Sequence, residues 1–182
     1  MFYLFLAEGF EEAEALVTLD VLRRAEIDVS TVSVEDKEVK GAHNIVVSAD
    51  KTQEEIDLNK NFSGVILPGG MPGTLNLMKS EIVKRALLKA KEEGLLIAAI
   101  CAAPMILGNM GLLEGKRAVC YPGFEEELKG AKIENGKIAK DDGVITGKGP
   151  GAVFDFAFGL CDMILGNTEI STRLKEEMQC DR

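Results

Sequence analysis

Short apolar runs alternate with amphipathic stretches along the whole chain, and that alternation leaves few folds open. Runs rich in Val, Ile and Leu stand at Met1–Leu6, Val29–Val34, Ile45–Ser48, Val65–Leu67, Leu95–Ile100 and Val144–Thr146. Segments of helical period lie between several of them, at Glu11–Arg24, Glu81–Glu93, Ala103–Leu112, Val153–Leu165 and Glu169–Met178. Strands buried on both faces read as continuous apolar runs, and parallel strands need helical crossovers. The pattern therefore predicts a doubly wound α/β sandwich, a mostly parallel sheet covered by helices on both sides. The 182 residues suit one such domain, spanning residues 1–182. Between Ala118 and Lys140 the chain is choppier, with Pro122, Gly123, Gly130 and Gly136, and a short hairpin is expected there.

Charge and composition narrow the partners. Lys plus Arg total 21 against 30 Asp plus Glu, a formal charge of −9, and no basic run tracks a phosphate backbone, so nucleic acid is not expected as a partner. A hydrophobic content of 46% excludes a disordered chain. The apolar N-terminus lacks a basic flank and meets Glu8 almost at once, which reads as a first strand rather than a signal peptide and implies a cytoplasmic protein. Leu95 to Leu113 carries no charge and has the length of a membrane span. Pro104, Gly108, Asn109 and Gly111 divide it, so a buried strand followed by a short helix is expected, with no membrane partner. Cys101, Cys120, Cys161 and Cys180 show no paired spacing and read as free thiols; with a single His, no catalytic zinc is expected, nor any other cofactor.

Ligands of doubly wound sheets bind beyond the carboxyl ends of the strands. Three such turns stand out: Ala7 to Glu14, Leu67 to Gly73, and Ala98 to Pro104. In the third, Cys101 closes an apolar strand and precedes Ala102-Ala103-Pro104, a composition that permits a tight strand-turn-helix resembling a nucleophile elbow. A thiol at a helix N-terminus is expected to ionise at roughly 3.5–7.5 rather than at about 8.5; the alternative is a small buried cysteine used in packing. Gly69 and Gly70 offer backbone N–H groups to a developing oxyanion, or serve only a turn. At about 100° per residue, Ala13, Leu16, Val17 and Val21 define the expected buried stripe of the first helix, with Glu14 at its edge and Glu11 and Glu12 pointing away. Glu14 is thus the carboxyl expected to be desolvated and raised. Asp20 falls within that stripe, four residues before Arg24, which suggests an ion pair at a subunit interface. His43 reads as a surface-loop residue.

Together Glu11-Glu12-Ala13-Glu14, Leu67-Pro68-Gly69-Gly70, Ala98-Ala99-Ile100-Cys101-Ala102-Ala103-Pro104 and Gly147-Lys148-Gly149-Pro150-Gly151 resemble, in order and spacing, the ThiJ/PfpI family, and within it the deglycase and YajL-like branches. The resemblance covers nearly the whole chain. It implies a flavodoxin-like sandwich and a homodimer, with Cys101 as the reactive, oxidisable cysteine and Glu14 as the protonated glutamate bonded to it. Gly70 and Ala102 match the positions whose N–H groups line the oxyanion pocket. Arg24 and His43 of a neighbouring chain become candidates for the rim of the site. Tyr121 stands where the deglycase branch has a His, and Ala102 where the protease-like branch has one.

The family resemblance implies an enzyme of reactive-carbonyl defence, acting without glutathione on methylglyoxal-type aldehydes or on glycated adducts, with Cys101 as nucleophile and Glu14 moving protons. Two alternatives stand beside it: a redox sensor or stress chaperone in which Cys101 is oxidised, and a cysteine amidase or peptidase-like hydrolase.

Overall fold

A computed structural model describes residues 1–180. In chain order its elements are β1 (Phe2–Leu6), α1 (Glu12–Arg24), β2 (Val29–Ser33), β3 (Glu38–Lys40), β4 (Val46–Ser48), β5 (Lys51–Thr52), β6 (Gly64–Leu67), α2 (Gly73–Lys79), α3 (Glu81–Glu93), β7 (Leu96–Ile100), α4 (Pro104–Asn109), β8 (Arg117–Ala118), β9 (Lys132–Ile133), β10 (Ile138–Asp141), β11 (Val144–Gly147), α5 (Val153–Leu165) and α6 (Glu169–Glu177). Seven strands form the central sheet in the order β10-β11-β7-β6-β1-β2-β5. Every pairing is parallel except β10 with β11. Reading β1, β2, β6, β7 and β11 as strands one to five gives the flavodoxin-like order 2-1-3-4-5, whose crossover direction reverses between β1 and β6.

Each long strand is buried on both sides. Tyr3, Phe5, Val65, Leu67, Ile97 and Ala99 face α2, α3 and α4, whereas Phe2, Leu4, Leu6, Ile66, Ala98 and Ile100 face α1 and α5. The period of two along a strand makes this division, and it explains the unbroken apolar runs. Among the described residues no helix is long and apolar enough to cross a membrane; the uncharged stretch from Leu95 is β7 followed by α4.

Several local expectations are corrected. The run Ile45–Ser48 does not enter the main sheet, because β4 pairs antiparallel with β3 in a separate ribbon. No hairpin forms within Ala118–Lys140: β8 and β9 pair in parallel, and the hairpin is β10–β11, whose turn falls at Asp142 and Gly143. Helix α2 has no counterpart in the apolar pattern, being short and following a Pro-Gly-rich turn. On α1 the buried positions are Glu12, Glu14, Ala15, Thr18, Val21 and Leu22, while Ala13 is exposed. The helix packs on the sheet beside α5, which lies on the same sheet face, so two of its sides are covered, and polar residues occupy part of the inner one. Apolar letters alone therefore place the stripe wrongly.

Candidate active site

The loops after β1, β6 and β7 converge beside the point where strand order reverses, and each contributes one part of the site. At the end of β7 the backbone of Cys101 takes φ +66°, a left-handed conformation that costs a non-glycine residue about 1–3 kcal/mol and needs support from its surroundings. That support is visible: Cys101 N–H donates to the Gly147 carbonyl at 2.9 Å, and its own carbonyl accepts from Tyr121 N–H at 2.8 Å. Pro104 occupies the first turn of α4, where its missing N–H costs nothing. The bend turns the half-buried thiol into a pocket of about 270 Å³ lined also by Glu11, Gly70, Ala102, Tyr121 and Phe124.

Glu14 reaches the same point from α1. It is 1% exposed, and its Oε2 accepts from Gly69 N–H at 2.7 Å. Its Oε1 is buried without a well-aligned partner among the described residues, and the Cys101 side chain is the hydrogen-bonding group that faces the carboxyl. The approach depends on Gly69: a Cβ there would lie 2.7 Å from Cys101 Cβ and 2.8 Å from Glu14 Oε2. Gly70 at φ +88° turns the chain so that its backbone N–H, like that of Ala102, favours the charged form of the Cys101 sulfur.

Burial drives both ionisable groups toward their neutral forms. It carries the Glu14 carboxyl up to about 7, against the Gly69 N–H and the Cys101 contact, with the Glu11 charge adding to the rise. It also pushes the Cys101 thiol up to about 12, reinforced by the Glu14 carboxylate and opposed by the N–H groups of Ala102 and Gly70. The thiolate stabilisation expected from a helix start is thus outweighed, first by burial and then by an ionised Glu14. A protonated Glu14 reverses the charge term and offers an O–H to the sulfur, so thiolate and carboxylate exclude one another and the pair ionises as a unit. Cys120 and Cys161 are buried, leaving the exposed Cys180 as the competing thiol. Brief iodoacetamide treatment is expected to label Cys101 more readily, relative to the exposed Cys180, at about pH 6, where Glu14 keeps its proton, than at about pH 8; a Cys101-to-Cys180 ratio in the peptide map that does not fall as pH rises would contradict the donor role.

The remaining predicted residues take other places. Glu12, expected to point outward, is 5% exposed and accepts from His43 N–H at 2.7 Å and lies 2.8 Å from His43 Nδ1. Burial pushes the Glu12 carboxyl up, but the His43 hydrogen bonds outweigh it and hold the group below its usual range. The same bond, with the charges of Glu11 and Glu12, raises the imidazole. His43 is a surface residue that anchors its loop onto α1, and the polar stretch around it is the one sequence sign of a partner for Glu12. Glu11, Glu12 and His43 hold ligating atoms within 4.8 Å of one another, the one metal-type cluster among the described residues. Glu12 is already engaged there, so the cluster is an ion-pair network with its hydrogen bonds made. Arg24 pairs with Asp20 at 2.9 Å with both side chains about half exposed, at 50% and 52%. Asp20 is therefore outside the buried stripe, and Arg24 lies ten residues from Glu14, about 15 Å along the helix. Neither Arg24 nor His43 lines the pocket of its own chain.

Residues 2–163 match the family model described as DJ-1/PfpI family. The chain belongs to the DJ-1/PfpI family. Within it, the chain is 36% identical to protein DJ-1alpha of Drosophila melanogaster over 95% of its own length and 81% of that protein's. It is 32% identical to a glutathione-independent glyoxalase of Caenorhabditis elegans, over 92% and 90%, and 28% identical to a deglycase of Pyrococcus abyssi, over 81% and 89%. Among solved structures, a DJ-1 superfamily protein from Salmonella typhimurium superposes with a TM-score of 0.91 at 37% identity, covering 98% and 97% of the two chains. Toxoplasma gondii DJ-1, solved in an oxidised form, gives 0.92 at 33% identity over the same shares. The DJ-1/PfpI fold and the resemblance read from the motifs agree.

Proposed function

We propose that this DJ-1/PfpI protein is a cysteine-dependent enzyme of reactive-carbonyl defence, converting methylglyoxal-type aldehydes to hydroxy acids without glutathione and extending to glycated adducts. The observation that carries the reading is the convergence, in one pocket, of the Cys101 sulfur, the buried Glu14 carboxyl and the N–H groups of Gly70 and Ala102. The names of the worm glyoxalase and the archaeal deglycase support it. The Cys101 thiolate adds to the aldehyde carbon, and the N–H groups stabilise the oxyanion of the hemithioacetal. Glu14 gives that oxygen a proton, then, as carboxylate, takes the proton from the former aldehyde carbon and returns it to the adjacent carbon. The hydroxyl proton of the first carbon passes to the neighbouring carbonyl oxygen, so the first carbon is oxidised to a thioester as its neighbour is reduced to a carbinol. Water then cleaves the thioester, releasing lactate and the thiol, so no outside oxidant or reductant enters. Lactate formation from methylglyoxal by the purified protein, beside Cys101→Ser, tests the scheme: turnover is expected in the parent and lost in the variant, and turnover surviving in the variant overturns it.

A redox reading is favoured by one observation, the oxidised form of the Toxoplasma relative. In it, peroxide takes Cys101 to a sulfinic acid that Glu14 hydrogen-bonds, and carbonyl turnover is negligible from the start. A peptidase reading lacks an imidazole, since the one His is engaged with Glu12 and lies outside the pocket.

The chain is further proposed to act in the cytoplasm as a homodimer. Ile45 and Val46, beside His43, are 52% and 56% exposed and suit a second copy, which would be the route by which His43 or Arg24 reaches a neighbouring site. Light scattering at micromolar concentration is expected to return twice the chain mass of 19.7 kDa; the mass of a single chain would refute the dimer.

A further inference from the structure

Tyr121 and Pro150 line both the Cys101 pocket and a second pocket of about 250 Å³. Apolar surface dominates the second pocket, from Pro122, Pro150 and the Tyr121 ring, which stands over Gly149. Its charged groups are Lys137 and Lys148, and both are cationic. These lysines face each other by register: Ile138 pairs with Gly147 across the β10–β11 hairpin, and one residue further out Lys148 N–H donates to the Lys137 carbonyl at 2.9 Å. Like charges directly opposite on paired strands repel, and they do so here in a chain of net charge −9. Asp155 answers Lys137 at 2.9 Å. Lys148 Nζ has no ion-pair partner among the described residues. A cation without a salt bridge thus lines an apolar pocket that adjoins the Cys101 pocket through Tyr121 and Pro150, an arrangement that attracts a small organic anion and orients it.

We propose that this second pocket is a binding subsite for the anionic end of a carbonyl substrate, an α-oxoaldehyde carrying a carboxylate or phosphate on a short arm, with Lys148 setting the specificity. The inference rests on the carbonyl reading of Cys101 and refines it: the aldehyde meets Cys101 while the anion passes Tyr121 to Lys148.

Turnover of methylglyoxal, of the carboxylate-bearing α-oxoaldehyde derived from levulinate, and of phosphorylated hydroxymethylglyoxal tests it. The kcat/KM ratio of anionic to uncharged substrate is expected to exceed one, to fall about fivefold in Lys148→Gln, the scale of one partly exposed ion pair, and to fall further in Lys148→Glu. It should also shrink in about 0.5 M salt. The compound with the larger Lys148-dependent ratio identifies carboxylate or phosphate as the recognised group. A ratio of one in the parent protein, or a ratio unmoved in Lys148→Glu, overturns the subsite. Absence of turnover with all three compounds defeats the carbonyl reading instead, and the subsite is then read by binding alone. Levulinate and glycerol phosphate, titrated against the amide resonances of residues 147–152, are expected to give saturable shifts that vanish in Lys148→Glu; no shift with either rejects the anion site.

Discussion

Glu14→Gln is expected to lower methylglyoxal turnover by about 10²–10⁴-fold, the usual scale for loss of a positioned acid–base group. Glutamine preserves the geometry: its carbonyl oxygen accepts from Gly69 N–H, as Oε2 does at 2.7 Å, and its amide N–H faces the sulfur. What it lacks is a transferable proton. The loss should therefore appear in kcat, with Cys101 still open to iodoacetamide. Glutamate suits the role because burial brings its pKa to about 7, where it donates and accepts protons with nearly equal ease. Lactate production by the two proteins measures the effect. Full turnover in Glu14→Gln would sink the acid–base role, whereas a parent protein without turnover whose peroxide sensitivity depends on Glu14 would move the assignment to sensing.

The same buried carboxyl makes stability depend on pH with a definite sign. Its ordinary value is 4.5 and its folded value about 7. Below 4.5 the group is protonated in both states. Between 4.5 and 7 the unfolded chain releases a proton that the folded chain keeps, so stability falls as pH rises, and above 7 the deficit is complete. At 1.36 kcal/mol for each pH unit, the folded protein loses about 3 kcal/mol across that window. Glu14→Gln is free of this penalty. Urea unfolding of both proteins from about pH 4 to 8 should show the variant gaining on the parent by about 3 kcal/mol, with the change confined to that range. A difference that stays flat with pH would mean that Glu14 is not held protonated by burial.

Much of the site is legible in the sequence because its elements are local. The apolar run ending at Ile100, followed by Cys101 and then Pro104 at the helix start, specifies a strand-turn-helix within a few residues. Gly69-Gly70 likewise carries its own geometric reason, and Glu14 stands out as the carboxyl to be desolvated. Glu12 is misread from sequence, because only the fold brings His43, 31 residues later, onto it. The thiol's ionisation is misread for a related reason: the helix start is a sequence feature, whereas the burial that chiefly opposes it, and the Glu14 charge that adds to it, come from packing against other elements.

The sequence by itself determined that parallel strands alternate with helices, and that Cys101 would stand at a strand end. Both follow from short-range physics, the period of apolar residues and the steric demands of Pro and Gly. Tertiary structure alone decided the strand order, the pairing of β4 with β3 instead of the main sheet, and the placement of Lys148 opposite Lys137. It also decided the coupling of Cys101 to Glu14, 87 positions apart in the chain. These depend on which elements pack together and on how much water the packing excludes. An ionisable group responds to that local dielectric and to its neighbours in space, and neither is written in the spacing of residues along the chain.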